Sequence, residues 1–245
     1  MSVLRALGLV PVEGMAPLDM DVPEGAVLCL TGPDPALRST CMQTLAAARY
    51  PFAGDVELLG RRLSRLDDRH WLALRREVGF VMREAPLVSS LDALRNVMLP
   101  ALYHGLANRG ASARRAHGWM ERLGFTGASG LLPAYLSERD RKILALARAL
   151  MLSPRLLLVD DPLHGLHVSE ARPIATALAQ ICREAGCALV HATDDLHFMR
   201  AHADAILYIA APAPRWFPSW QAFHRAGDED VQACLSGFRT EASFD

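Results

Sequence analysis

The segment from Thr31 to Thr40 carries residue types that can hold phosphate groups. It reads T-G-P-D-P-A-L-R-S-T and follows the apolar run from Ala26 to Leu30. This is the frame of the loop G-x-x-x-x-G-K-[ST], whose backbone N–H groups and lysine bind phosphates and whose hydroxyl reaches Mg²⁺. Arg38 stands where that loop has lysine, and the only lysine of the chain, Lys142, is distant in sequence. The pattern predicts a phosphate-binding scaffold in which some chemical groups have been exchanged.

A second acidic feature lies at the end of another apolar run. Arg155-Leu-Leu-Leu-Val-Asp-Asp161 has the composition of a buried parallel strand that ends in two carboxylates. A carboxylate at this position can hold Mg²⁺ beside the phosphates bound by the loop. The two segments together indicate a nucleotide site.

The remaining sequence predicts the elements that must position these groups. Hydrophobic periodicity and Gly/Pro breaks alternate strands with helices, which is typical of an α/β fold with a mostly parallel sheet. Ligands of such sheets bind at the carboxyl ends of the strands. We predict strands at 3–10, 26–31, 55–59, 78–82, 155–161, 187–193 and 204–210, and helices at 39–48, 137–152, 169–185 and 196–202. Residues 91–128 have helical periodicity, a turn is expected at 22–25, and the form of the tail 211–245 is left open.

Five motifs in family order resemble those of ABC-transporter ATPases. Besides the phosphate loop and the Asp160–His167 run, Leu136-Ser-Glu-Arg-Asp140 is similar to the L-S-G-G-Q signature. Val78–Arg83 resembles the Q-loop strand, and Ala192–Leu196 resembles the loop that carries the switch histidine. The resemblance covers roughly residues 3–210. It implies a P-loop NTPase-like core, an N-terminal antiparallel β-lobe and an inserted helical subdomain at about 84–150, followed by the tail.

Weaker similarities point to one branch of that family. Asn96-Val-Met-Leu-Pro100, the following Tyr103-His104 and the tail segment Asp230–Phe238 resemble ATPases of the MCE/Mla type. That branch drives lipid transport at bacterial envelopes. The resemblance therefore implies a lipid-transport subunit as one reading.

The resemblance also implies ATP and Mg²⁺ as cofactors and assigns their contacts. The metal positions are Ser39 and Asp160, and the catalytic positions are Asp161 and Asp194. The nucleotide positions are Gly32, Pro33, Asp34, Pro35, Ala36, Leu37, Arg38, Ser39, Thr40, Arg83 and Ser137.

The phosphate loop departs from the family at several positions. Arg38 keeps the positive charge of lysine but is longer and planar. Leu37 replaces a glycine whose φ is usually positive, and Pro35 removes a backbone donor.

The catalytic positions depart as well. Asp161 replaces the glutamate base and Asp194 replaces the switch histidine. Arg83 replaces the Q-loop glutamine, and Glu138 replaces a signature glycine. Loss of a positioned base or of an electrostatic clamp costs about 10²–10⁴ in rate each. We therefore expect ATP binding that is weak or lost and hydrolysis that is impaired, with a structural or regulatory role. A working ATPase, and a P-loop-fold interaction module unconnected to membranes, remain the alternatives.

Composition limits the partners. With 51% hydrophobic and 22% charged residues, the chain suits one large α/β domain, and its net charge of −1 gives no field that favours nucleic acid. No apolar stretch is long enough to span a bilayer. The resemblance implies a permease subunit as partner, a homodimer or a heterodimer with another ABC ATPase, and a cytoplasmic location at the inner face of the bacterial inner membrane.

Overall fold

Two sheets and a layer of helices make up the chain in the computed structural model, which describes residues 1–105 and 108–241. The strands are β1 (Ser2–Val10), β2 (Leu18–Pro23), β3 (Val27–Thr31), β4 (Ala53–Leu58), β5 (Arg61–Arg62), β6 (Val78–Val81), β7 (Leu156–Asp160), β8 (Ala188–Ala192), β9 (Ala205–Tyr208) and β10 (Arg215–Phe217). The helices are α1 (Pro35–Leu45), α2 (Asp68–Leu74), α3 (Ala93–Tyr103), α4 (Arg109–Arg122), α5 (Glu138–Leu150), α6 (Val168–Glu184), α7 (Leu196–His202), α8 (Trp220–His224) and α9 (Glu229–Glu241).

The central sheet has the strand order β10-β9-β3-β8-β7-β6. All of its neighbours pair in parallel except β10, which runs antiparallel to β9. The registers Leu30↔Ala192 and Asp160↔Ala192 show that β3, β8 and β7 end at the same edge. That edge therefore collects the groups that follow these three strands.

The smaller sheet, β2-β1-β4-β5, is antiparallel and belongs to the N-terminal lobe. Strand β2 continues through Val22 and Pro23, where the sequence predicted a turn, because β1 pairs with it as far as Pro23. The predicted α/β fold with an antiparallel N-terminal lobe is confirmed. The predicted limits of the cassette domain at residue 210 and of the helical subdomain at about 84–150 stay predictions.

The central sheet separates two cores because its side chains alternate between its faces. Val27 and Cys29 pack with the helical layer, whereas Leu28 and Leu30 pack with the antiparallel lobe and α1. The inner strands β3, β7 and β8 are buried on both sides, as their continuous apolar sequence predicts. The rigid support this provides fixes the loops at the carboxyl edge.

The tail continues the core. Strand β10 extends the central sheet, and Val231 and Leu235 of α9 are fully buried against it. Residues 242–245 of the predicted tail lie outside the described residues. Among the described residues, no helix combines the length and the apolar character that crossing a bilayer requires.

Candidate nucleotide-binding edge

The phosphate loop begins with a glycine at a position that has no room for a β-carbon. Gly32 has φ +151°, and a β-carbon there would lie 2.0 Å from the Ile209 carbonyl oxygen. The Ile209 amide donates to the Thr31 carbonyl at 2.7 Å. The loop is therefore clamped between β3 and the end of β9.

Helix α1 begins at Pro35, four residues before its predicted start at residue 39. The Asp34 carboxylate caps it by accepting hydrogen bonds from the amides of Ala36 and Leu37 at 2.8 and 3.2 Å. Proline suits the first helical position because its missing N–H would have no intrahelical partner. Leu37 lies inside the helix and is not among the residues of positive φ, so the strain that we expected there is absent. The Asp34 side chain thus occupies amides that a phosphate loop offers to its ligand.

Arg38 points into the protein and is 2% exposed. Its guanidinium forms an ion pair with Asp194, whose Oδ1 also accepts from the Thr31 hydroxyl at 3.2 Å. Burial lowers the pKa of Arg38, and the nearby carboxylates of Asp161 and Asp160 oppose that shift. The two substituted positions of the phosphate loop and the switch loop are therefore bonded to each other.

The retained metal positions also meet. The Ser39 hydroxyl donates to Asp160 Oδ2 at 2.5 Å, and Gln43 Nε2 donates to Ser39 Oγ at 3.1 Å. Asp160 is 1% exposed, and its Oδ1 has no hydrogen-bond partner among the described residues. Burial raises the pKa of Asp160, although the Ser39 hydrogen bond and the charges of Arg83 and Arg38 act against it. An unpaired buried carboxylate oxygen beside a hydroxyl suits a hard divalent cation.

Asp161 and Arg83 form the second ion pair of the edge, with Arg83 Nη1 3.3 Å from Asp161 Oδ2. Burial raises the pKa of Asp161, and the positive charges of Arg83 and Arg38 oppose this. Asp161 has φ +45°, a left-handed conformation that is uncommon for a residue with a β-carbon. The substituted Q-loop position is therefore bonded to the substituted base position.

Ser137 is not brought to this edge. Its hydroxyl caps α5 by accepting from the Asp140 amide at 3.0 Å. Glu138 lies 3.3 Å from Lys142, whose ammonium group donates to the His164 carbonyl at 2.6 Å. Within the described part of the chain, no hydrogen bond or ion pair joins Ser137 to the phosphate loop. Any contact of Ser137 with nucleotide would need a second cassette.

Sequence reasoning missed two neighbours of the edge. The only sequence signal for Gln43 was its position one helical turn after Ser39. Cys234 of α9 is half-buried and near Arg38; burial raises its pKa, while the Arg38 charge and a hydrogen bond with Thr31 act against this. No sequence pattern indicated that the tail would return to the phosphate loop.

The residues fit the two cofactors unequally. Ser39 and Asp160 offer oxygen ligands that suit Mg²⁺. As arranged here, the donors that would hold a triphosphate are already bonded to carboxylates: the first amides of α1 to Asp34, Arg38 to Asp194 and Arg83 to Asp161. The arrangement does not fit a triphosphate without breaking these contacts.

Comparison with known proteins places this geometry in a family. A profile described as ABC transporter matches residues 15–164. The lipoprotein-releasing system ATP-binding protein LolD 2 of Caulobacter vibrioides is 36% identical over 184 residues, which are 75% of this chain and 80% of that protein. The methionine import ATP-binding protein MetN 1 of Acinetobacter baylyi is 27% identical over 96% of this chain, which spans 66% of the relative.

Solved structures show the same fold. The ATP-binding cassette MJ0796, in a dimeric structure bound to ADP and phosphate, superposes with a TM-score of 0.79 at 23% identity. The match covers 88% of this chain and 98% of that one. With the profile covering more than half of its length, the chain belongs to the ABC transporter family.

Proposed function

We propose that the chain is the cassette subunit of a membrane transporter, that it docks on a permease subunit, and that its own nucleotide site hydrolyses ATP poorly or not at all. Its role is then structural or regulatory. It works at the cytoplasmic face of the bacterial inner membrane, as a homodimer or beside another ABC ATPase. The observation that supports docking on a permease is a groove beside the Q-loop segment, which we call the permease groove.

The groove lies between the end of β6 and helices α3 and α5 and has a volume of about 180 Å³. Its lining is mostly apolar: Gly79, Phe80, Val81, Met82, Ala85, Pro86, Pro100, Ala145, Arg148, Ala149 and Leu152. Arg148 holds one wall by donating to the Pro86 carbonyl at 2.6 Å. A groove of this kind suits a short apolar helix of a partner.

Exposed apolar residues continue from the groove. Met82 is 49% exposed, and Leu99, Leu102 and Tyr103 are exposed at helical spacing on α3. Residues three and four apart on a helix share a face, so this face is contiguous with Pro100 in the groove wall. Apolar surface beside an apolar groove supports a protein partner.

The loss of turnover is supported by the chemistry of the edge. Asp161, at the base position, has a shorter side chain than glutamate and forms an ion pair with Arg83. Asp194, at the switch position, is acidic and forms an ion pair with Arg38. Each ion pair fixes a carboxylate on an arginine of the chain, so neither carboxylate is available in this arrangement to orient an attacking water or to contact a γ-phosphate. The retained pair of Ser39 and Asp160 favours the alternative of a slow but working ATPase.

We propose lipid or a lipid-anchored molecule as cargo. Support comes from relatives named as lipoprotein-releasing proteins, which include LolD of Ruegeria pomeroyi at 32% identity over 194 residues. The similarity to the MCE/Mla branch is a prediction within that class. Relatives named for methionine import and macrolide export belong to the same family.

Two experiments test the proposal. Affinity purification of the full chain from detergent-solubilised membranes of its own bacterium should recover an integral-membrane permease subunit, and its absence would favour a module unconnected to membranes. Purified protein with Mg²⁺ and ATP should show turnover at background. Turnover that disappears in an Asp161→Asn variant would establish a working ATPase instead.

A further inference from the structure

The two ion pairs and the helix cap of the nucleotide edge share one feature: in each, a carboxylate of the chain takes a group at a position that the resemblance assigns to nucleotide contact. Asp34 accepts from the first amides of α1. Asp194 accepts from Arg38 and Thr31. Asp161 pairs with Arg83 at 3.3 Å.

These contacts join segments that are far apart in sequence. Arg38 and Asp194 connect the start of α1 to the loop after β8, and Asp161 and Arg83 connect the end of β7 to the segment after β6. The second connection ends beside the permease groove, since Met82 and Ala85, which flank Arg83, line it. The two pairs therefore span four neighbouring strand ends, those of β3, β8, β7 and β6, and reach the groove.

The electrostatics favour pairing with these internal anions. Arg38 is buried, so an uncompensated charge there would be costly. Asp194 is 62% exposed and lies at the solvent end of the pair, where it remains partly hydrated. A free phosphate loses translational and rotational entropy when it binds, whereas an internal carboxylate does not, and this favours the internal carboxylate.

We propose that Asp34, Asp161 and Asp194 act as built-in substitutes for nucleotide phosphates, so that the loops around the site and the wall of the permease groove are held together without nucleotide. This inference rests on the proposed function only where it treats the groove as a docking site for a permease. The cassette is then constitutively assembled and does not respond to ATP.

The first test is a double-mutant cycle on the Arg38–Asp194 pair, with thermal unfolding as the readout. Asp194→Asn in the otherwise unchanged chain leaves the buried arginine without its anion and should lower the Tm by roughly 3–6 °C. In an Arg38→Met background, which keeps the side-chain volume, Asp194→Asn should change the Tm by less than about 1 °C. The same cycle on Arg5 and Asp21, a half-exposed pair at 3.6 Å, is the control and should show no coupling.

The second test asks whether removing the internal anions admits external ones. Mg²⁺-ATP and inorganic tripolyphosphate at 1 mM should shift the Tm of the wild type by less than about 1 °C. The variant Asp34→Ala/Asp194→Asn should gain a shift of about 2 °C or more with either probe, because ligand binding stabilises the folded state by mass action. A Tm shift with ATP but not with tripolyphosphate would show that contact with the adenine base, and not with the phosphates, was limiting. That result would overturn the inference.

The outcomes separate this inference from the proposed function. A wild type that binds Mg²⁺-ATP at micromolar concentration without turnover overturns the inference and leaves the proposed function standing. Zero coupling in the Arg38 cycle also overturns it. A wild type that shows coupling and no nucleotide response supports it, even if no permease co-purifies.

Discussion

The nucleotide edge and the permease groove, which is our proposed docking site, present different kinds of side chain. At the edge, charged side chains at the predicted nucleotide positions are paired within the chain. At the groove, the lining is mostly apolar, and the Arg148–Pro86 hydrogen bond holds one wall. Under the proposed function, contact with a partner and contact with nucleotide are separable properties of this fold.

Blocking the groove should have the largest effect. Ala149 lies in the groove wall on α5, and Ala149→Glu would place an unpaired carboxylate against apolar surface. We expect permease affinity to fall at least about a hundredfold, about 3 kcal/mol, in a pull-down titration or by surface plasmon resonance. The control Ala201→Glu makes the same change at an exposed helical site on α7 and should leave affinity unchanged. Equal binding by both variants would remove the groove from the proposal.

Loss of the anchor behind the groove should have the next largest effect, and this one is on folding. Asn96 is fully buried; its Oδ1 accepts from the Val88 amide at 2.8 Å, and its Nδ2 donates to three carbonyls of the same loop. Asn96→Ala leaves these groups unpaired and should lower the free energy of unfolding by about 2–4 kcal/mol, measured in urea. Asn108→Ala removes one exposed cap of α4 and should cost about 1 kcal/mol. Equal losses in the two variants would contradict a special role for Asn96.

Neutralising Asp160 at the nucleotide edge should have the smallest effect on stability, and it should stabilise the protein rather than destabilise it. Because burial raises the pKa of Asp160, the native carboxyl holds its proton more tightly than the unfolded chain does. Its contribution to stability is therefore fully present below the ordinary aspartate pKa of about 3.9 and is lost as the pH rises through the native value. At pH 7, Asp160→Asn should raise the free energy of unfolding by on the order of 1 kcal/mol.

The gain from Asp160→Asn should shrink as the pH falls towards 3.5, where the wild-type carboxyl is protonated in both states. Asp21→Asn, at a side chain that is 58% exposed, is the control and should change stability little at either pH. A destabilised Asp160→Asn variant at pH 7 would mean that the charge is held favourably. That result would make the edge resemble a working metal site more closely than the ion pairs suggest.

The sequence predicted the central sheet well because its strands are short apolar runs between clear breaks. Leu156–Asp160 and Ala188–Ala192 agree with the predicted strands to within a residue or two. The start of α1 was predicted wrongly because the resemblance to a phosphate loop outweighed a local capping pattern. Asp34 followed by Pro35 is itself a helix-start signal. Strand β2 was missed although its alternation of buried and exposed residues is itself the signal of a half-buried strand.

The amino-acid sequence by itself determined the order of the motifs, the α/β class and which charged residues replaced which family positions, since all of these are local in the chain. Only the tertiary structure decided how those charges pair. Arg38 and Asp194 are 156 residues apart, and they meet because β3 and β8 are parallel neighbours that end at one edge. Arg83 and Asp161 meet for the same reason, because they follow the parallel neighbours β6 and β7. Strand order, which joins distant segments, converted a set of separate substitutions into a connected cluster of charges.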